Sequence, residues 1–112
     1  METGHTAPSL ERWDIGRAGK IEWTPWGNYG NARAKVLGGA DGYTVALIEA
    51  EAGYRGTPHE HEHAEFFYLL AGTVRNQGQA LAAGDAYAAA AGSAHTDFEV
   101  TADARYLLVF RL

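Results

Sequence analysis

Residues 53–72 read GYRGTPHEHEHAEFFYLLAG, and no other part of the chain carries as much structural information. Three of the five histidines stand here at alternate positions, His59, His61 and His63, and Glu65 follows them. Because successive side chains of a β-strand point to opposite faces, His59 and His61 are expected to share a face, with Cα atoms roughly 6–7 Å apart. Two imidazoles at that spacing can bind one metal ion at about 2.1 Å.

Glu65 and the distant His95 are the remaining candidates for a metal site. A turn over residues 62–64 would bring Glu65 back beside the histidine pair, and His95 follows Gly92-Ser93 at the start of a strand that can lie opposite. Three imidazoles and one carboxylate suit Fe, Mn, Ni, Cu or Zn and leave coordination positions open for water or a substrate. We therefore expect one divalent transition metal per chain, and the ligand types do not choose among these metals.

The composition limits the class of protein. The chain has 112 residues, 46% of them hydrophobic, which predicts a single domain with a real core. The absence of cysteine excludes disulfides and thiolate ligands and is compatible with the cytoplasm, where we expect the protein. The net charge is −5 and the nine basic residues are scattered, so no nucleic-acid partner is expected. No apolar run approaches the ~18 residues of a membrane span, and residues 1–12 do not resemble a secretory signal.

Short apolar runs alternate with glycine-bearing turns from Leu10 onward, while residues 1–9 are polar and are expected to form a flexible N-terminus. Strands are predicted near 13–15, 21–23, 32–37, 43–49, 57–61, 66–70, 73–75, 85–89, 97–100 and 105–111. The alanine-rich residues 80–91 also allow a helix, but Gly84 and Gly92 interrupt them, and we favour strand. This pattern predicts an all-β barrel or sandwich over residues 10–112.

Two spaced motifs resemble the signatures of the cupin superfamily. The first signature is matched at every fixed position by Gly53-x5-His59-x-His61-x3-Glu65-x6-Gly72. The second is resembled by Gly84-x5-Ala90-x-Gly92-x2-His95-x3-Glu99, with Ala90 where the family usually has Pro and Glu99 where it usually has Asn. The resemblance implies a single-domain cupin, which is a jelly-roll barrel or double-stranded β-helix.

The same resemblance assigns roles to residues one by one. It implies that the metal ligands are His59, His61, Glu65 and His95, and Glu65 could also act as a catalytic base if it leaves the metal. His63 is not a ligand in the family's pattern and is read as a turn or rim residue. Glu60 and Glu62 are expected to point outward, and Glu99 is expected to lie outside the pocket.

The segment Trp23-Thr24-Pro25-Trp26-Gly27 and the second motif are similar to the cupin domain of ChrR-type anti-sigma factors and to dioxygenase-like cupins. The resemblance implies a mononuclear, metal-dependent dioxygenase-like enzyme that acts on a small organic molecule. Two alternatives stay open, a metal- or ligand-sensing binding module and a non-redox metal-dependent isomerase or lyase. The chain is too short to hold the separate sigma-binding domain of those anti-sigma factors, so an anti-sigma role is not expected.

Two strands are apolar on both faces, which predicts a partner subunit. Phe67 and Leu69 are expected to point inward, and Phe66, Tyr68 and Leu70 outward. The strand at 105–111 repeats the pattern. A strand that is apolar on both sides is usually covered on both sides. We therefore predict a homodimer.

Two further groups have two interpretations each. The aromatic residues of the N-terminal third could line a substrate pocket, but we favour a barrel plug or a dimer contact; they are Trp13, Trp23, Trp26 and Tyr29. Four arginines could anchor an anion, but we favour solvated surface charge; they are Arg33, Arg55, Arg75 and Arg105.

Overall fold

The computed structural model describes residues 7–111, which form nine β-strands and one short 3-10 helix at Ala18–Lys20. The strands are β1 (Thr24–Pro25), β2 (Ala32–Ala40), β3 (Tyr43–Ala50), β4 (His59–Glu60), β5 (Glu65–Asn76), β6 (Gln79–Ala82), β7 (Ala86–Ala89), β8 (Ala94–His95) and β9 (Phe98–Arg111). The all-β prediction is confirmed.

Seven of the strands form one antiparallel sheet and the other two form a small second sheet. The large sheet has the order β1-β2-β3-β9-β5-β6, and β7 pairs with the first half of β5. The second sheet pairs β4 with β8. The strand at 85–89 and the rejection of a helix over 80–91 are confirmed, because that segment forms β6 and β7 around Gly84.

Two tight hairpins set the register of the large sheet. Asp41-Gly42 joins β2 to β3 with φ of 52° and 83°, and Gln77-Gly78 joins β5 to β6 with φ of 50° and 76°. Positive φ at both central residues is the signature of the type I′ turn, whose twist matches that of the flanking strands. The glycines Gly42 and Gly78 predict both turns from the sequence.

The two longest strands were each predicted as two short ones. β5 runs continuously through the break expected at 71–72, and β9 through the gap expected between the strands 97–100 and 105–111. The pairing of β5 with β9 shifts register at three places, between Leu69 and Ala71, between Ala71 and Thr73, and between Thr73 and Val74. Bulges absorb the extra residues and bend the strands without ending the ladder. The strand Gln79–Ala82 was not predicted.

The strands predicted at 13–15 and 21–23 are wrong. This N-terminal arm lies beside β2, where side chains hold it: Lys35 Nζ donates to the Ala18 carbonyl at 2.6 Å, and the Gly39 amide donates to Asp14 Oδ2 at 2.9 Å. Thr24–Pro25 pairs with β2 through the backbone, and the next residue, Trp26, donates its amide to the Ala32 carbonyl at 3.0 Å. The flexible end predicted at residues 1–9 falls mostly on residues 1–6, which lie outside the described residues.

The inner face of the large sheet forms the core. Phe67 and Leu69 are buried, while Phe66, Tyr68 and Leu70 on the same strand are 46%, 44% and 41% exposed, as the alternation predicted. The inner face extends onto β9, because Leu69 is paired directly with the buried Tyr106. The most completely buried side chains are Ile48, Leu69, Val74 and Val100.

Carboxylates neutralise the four arginines on the surface. Glu49 accepts hydrogen bonds from Arg33 and Arg105, which hold its pKa below the ordinary value of 4.5, with Arg105 the stronger influence. Glu99 pairs with Arg55 at 3.2 Å and with Arg75 at 2.6 Å. Surface charge, the favoured interpretation, therefore describes these arginines. Within residues 7–111 no helix is long and apolar enough to cross a membrane.

Candidate metal centre

Three imidazoles converge where the small sheet meets the large one. His59 on β4 is directly opposite His95 on β8, and the His61 amide donates to the Ser93 carbonyl at 2.8 Å just beyond this pair. The ring centroids lie 4.8–5.3 Å apart. One nitrogen from each ring lies within 4.8 Å of the other two, which positions three histidines for a metal site.

Hydrogen bonds hold each ring with one nitrogen facing this common point. His59 Nδ1 contacts the Thr57 carbonyl at 2.8 Å, and His95 Nε2 contacts Asn76 Oδ1 at 2.6 Å. Both partners are acceptors, so these nitrogens carry the proton. Ser93 Oγ donates to the Ala90 carbonyl, so at 2.9 Å it accepts from His61 Nδ1. Each neutral ring is left with a lone pair for an ion, which is the usual arrangement of metal-binding histidines.

The buried nitrogens fit a metal for a second reason. His61 Nε2 and His95 Nδ1 are fully buried and have no hydrogen-bond partner among the described residues. A buried polar atom without a partner is costly, and such exceptions often mark an ion site. Burial lowers the pKa of His95, against the opposing charge of Glu65, and so favours the neutral form that binds metal.

Glu65 lies beside the three rings but is held by a tyrosine. Its Oε2 atom is 3.4 Å from His61 Nε2 and 3.8 Å from His95 Nδ1. The Tyr87 hydroxyl donates to the same oxygen at 2.5 Å. Burial, and next the hydrogen bond to Glu65, raise the pKa of Tyr87, so the phenol keeps its proton. The carboxylate is thus oriented before any ion arrives.

Tyr87→Phe is expected to weaken metal binding about tenfold, because removing a hydrogen bond that orients a ligand typically costs 10- to 100-fold in metal affinity. The measurement is a competition titration with a chelating dye, together with the visible spectrum of the Co(II)-loaded protein. Tyr68→Phe, on the exposed outer face, is the matched control. An unchanged affinity and an unchanged spectrum in Tyr87→Phe would show that the hydroxyl does not position Glu65.

The other residues of the histidine tract lie outside the cluster. His63 is half-buried in the following turn and is not one of the three converging histidines. Glu60 and Glu62 are exposed, as expected. Glu99 pairs with arginines on the surface and does not line the adjacent cavity.

Four residues that support the rings were missed by the sequence reasoning. The Thr57 carbonyl contacts His59, and the Asn76 side chain contacts His95. The Ser93 side chain contacts His61, and the Tyr87 side chain contacts Glu65. A weak signal existed for Tyr87, which is the one large residue within Ala86-Tyr87-Ala88-Ala89. Ser93 stands inside the second motif, but nothing in the sequence pairs Asn76 with His95.

A cavity of about 300 Å³ opens from the imidazoles into the barrel. Of the N-terminal aromatic group only Trp26 lines it, packing edge-on against Phe110 at 5.8 Å. Trp23 lies under Arg33 and Lys35, while Trp13 and Tyr29 are 74% and 79% exposed. The group therefore divides among three environments and does not form one wall.

An antiparallel barrel with converging histidines at the edge of its cavity is the architecture of a cupin. The chain belongs to the family described as the ChrR Cupin-like domain, which matches residues 13–112. No curated protein matches the sequence.

Solved structures show the same fold at low sequence identity. KdgF from a Halomonas species is 22% identical with a TM-score of 0.73, over 87% of this chain and 91% of that one. An acetylacetone dioxygenase from Acinetobacter johnsonii is 14% identical with a TM-score of 0.75, over 99% of this chain and 80% of the dioxygenase. ChrR from Rhodobacter sphaeroides, in complex with SigE, is 21% identical with a TM-score of 0.71, over 90% of this chain and 53% of the ChrR chain. At these identities the likeness extends to the fold alone.

Proposed function

We propose that this protein is a metal-dependent enzyme of the dioxygenase-like type, acting on a small organic molecule. The observation that carries the proposal is the set of three imidazoles whose free nitrogens lie within 4.8 Å of one another at the mouth of a cavity. The ligands are His59, His61, Glu65 and His95, and one divalent transition metal is bound per chain. When bound, such an ion supplies Lewis acidity and open positions for oxygen-bearing molecules.

The residues around the cluster have their own tasks in this proposal. The Thr57 carbonyl, Ser93 and Asn76 keep the three rings in one tautomer, so no reorientation is needed when a metal arrives. Glu65 lies next to the cavity and can take a proton from a bound substrate, with Tyr87 holding its carboxylate in place.

The test is elemental analysis of the protein purified from its own host, followed by oxygen-uptake measurements. Acetylacetone is the first compound to try, because one structural neighbour is an acetylacetone dioxygenase. Oxygen consumption that depends on Fe or Mn is the expected result. A zinc-loaded protein that converts substrate without consuming oxygen would replace the proposal with the isomerase or lyase alternative. Protein that holds no transition metal would overturn it.

A sensing or binding module is the second candidate, and the N-terminal arm favours it. Leu10, Trp13 and Ile15 are 65%, 74% and 52% exposed, and apolar side chains on a surface can contact a partner. ChrR, which shares the fold, was solved in complex with SigE. Tight metal binding without turnover of any compound would favour this candidate. The cytoplasmic location expected from the cysteine-free sequence stays a prediction.

We also propose that the outer face of the large sheet pairs two copies of the chain. Phe66 continues across the sheet to Val109 and Val45, and Tyr68 to Leu107 and Leu47, in two directly paired rows. Together with Leu70 these rows make one apolar surface. Burial of such a surface between two copies would remove apolar area from water.

Tyr68→Lys is expected to convert the dimer to a monomer, because a lysine in the centre of the apolar rows would lose its hydration in the interface. Sedimentation equilibrium at micromolar concentration gives the mass. Tyr29→Lys changes a more exposed tyrosine outside the sheet and should remain dimeric. A monomeric mass for the unaltered protein would refute the dimer.

A further inference from the structure

The cavity beside the imidazoles has a wall rich in aromatic side chains. Six of its lining residues are Trp26, Tyr54, Phe67, Tyr87, Phe98 and Tyr106. Its volume of about 300 Å³ is at the lower end of the roughly 300–1,000 Å³ typical of ligand pockets. The space therefore suits a small molecule.

The wall is already packed into one arrangement. Phe67 stacks on Tyr87 with ring centroids 4.8 Å apart and an interplanar angle of 6°. The ring centroid of Tyr106 on β9 is also 4.8 Å from that of Phe67. Phe98 contacts Phe67, Tyr54 and Tyr106 edge-on at 5.7–6.3 Å. Rings that hold one another in place present a preformed apolar surface, so little ordering is needed when a ligand binds.

The cavity offers no positive side chain to an anion. Neither lysine nor arginine is among its described lining residues, and the only acidic ones are Glu65 and Asp97. Glu65 accepts from Tyr87, and Asp97 lies 3.5 Å from Arg75, which also pairs with Glu99 outside. Burial raises the pKa of Tyr54 and of Tyr106, so the phenols of the wall stay neutral.

We propose that the site takes small molecules with oxygen donors at the end that faces the imidazoles and an uncharged, apolar group at the far end, against the aromatic wall. Compounds with a carboxylate at the far end are rejected, because that charge would lose its hydration against the aromatic rings, and the described lining has no lysine or arginine to pair with it. This inference rests on the proposed metal site, which binds the oxygen end, and it narrows the substrate class.

The experiment compares two catechols that differ only at the far end. 4-Methylcatechol and 3,4-dihydroxybenzoate present the same pair of oxygens to a metal, but the second carries a carboxylate opposite. Zinc-loaded protein is titrated with each under anaerobic conditions, and binding is followed by calorimetry, with the zinc content measured before and after. We expect 4-methylcatechol to bind at least about tenfold more tightly, since a buried unpaired carboxylate is costly.

Thr57→Lys tests the same idea from the protein's side. Thr57 lines the cavity at its exposed mouth and holds His59 only through its backbone carbonyl, so the side chain can change while that hydrogen bond remains. The new ammonium is expected to shift the ratio of the two affinities about tenfold in favour of 3,4-dihydroxybenzoate. Gln79→Lys adds the same charge on exposed β6, away from the cavity, and should change neither affinity.

The outcomes separate this inference from the proposed function. A zinc-loaded protein that binds 3,4-dihydroxybenzoate as tightly as 4-methylcatechol, or binds neither, overturns the ligand class and leaves the metal site standing. Protein that takes up no zinc and no other transition metal overturns the proposed function, and the ligand class with it.

Discussion

The double substitution His59→Ala and His61→Ala is expected to abolish metal binding while the β-sheet circular-dichroism signal persists. The two imidazoles lie two residues apart on the same extended segment, and with His95 they make up the converging cluster. Removing two of three nitrogen donors leaves one imidazole and a carboxylate that is hydrogen-bonded to Tyr87. A site reduced to that set lacks the ligand number that divalent transition metals require.

The fold should survive because the backbone joins the two short strands. The His61 amide donates to Ser93, and the Gly92 amide donates to the His61 carbonyl at 2.7 Å, and neither bond involves a side chain. The lost hydrogen bond from His61 Nδ1 to Ser93 Oγ costs about 1 kcal/mol. The substitution also removes His61 Nε2, a buried nitrogen without a hydrogen-bond partner, and its removal offsets part of that cost.

The measurement combines elemental analysis with thermal unfolding in the presence of Zn(II). Zinc at a hundredfold excess over its dissociation constant should stabilise the unaltered protein by about 2.7 kcal/mol and should not stabilise the double variant. His63→Ala is the matched control, because this third histidine of the tract is outside the cluster and its removal should leave metal content unchanged. A full metal equivalent in the double variant would show that the ion binds elsewhere.

Gly72→Ala is expected to destabilise the protein strongly. Gly72 has φ of +83°, and a Cβ there would lie 2.1 Å from the Asp103 carbonyl oxygen and 2.7 Å from Ala104 Cα. Both neighbours are backbone atoms of β9 at the point where the pairing of β5 with β9 shifts register. Relief would require the two longest strands to move apart. We expect a loss of roughly 3–5 kcal/mol in the free energy of unfolding.

Gly78→Ala separates the steric clash from the backbone conformation. Gly78 has a similar φ of +76°, but a Cβ there would meet nothing within 4 Å. Only the strain of the left-handed conformation remains, and it costs about 1–2 kcal/mol. Urea unfolding at neutral pH gives both values. Equal losses in the two variants would mean that the close approach of Gly72 to β9 contributes nothing.

Local sequence patterns predict much of the fold. Alternation at residues 66–70 assigned inner and outer faces correctly, because side-chain direction in a strand depends only on position parity. Glycines marked both type I′ turns, since few other residues adopt positive φ there. The same local logic fails at Gly72, because a glycine inside a bulged strand has the same local pattern as a glycine at a strand end.

The N-terminal arm shows another limit of local reasoning. Trp13–Ile15 has the β-branched and aromatic character of a strand, yet Lys35 and Asp14 anchor the arm to β2 without a ladder. A strand exists only when a partner edge is free for it, and that is not encoded in the segment itself.

The sequence by itself determined the candidate ligands, because H-x-H spacing and the second motif place imidazoles and a carboxylate within reach of one point. Only the tertiary structure decided how each is held. Asn76 meets His95 across 19 positions, Ser93 meets His61 across 32, and Tyr87 meets Glu65 across 22. Such contacts depend on strand register and on bulges, which arise from the whole sheet and not from any single segment. The histidine tract therefore predicts a metal site, while folding produces the tautomers, the oriented carboxylate and a cavity whose described lining has no lysine or arginine.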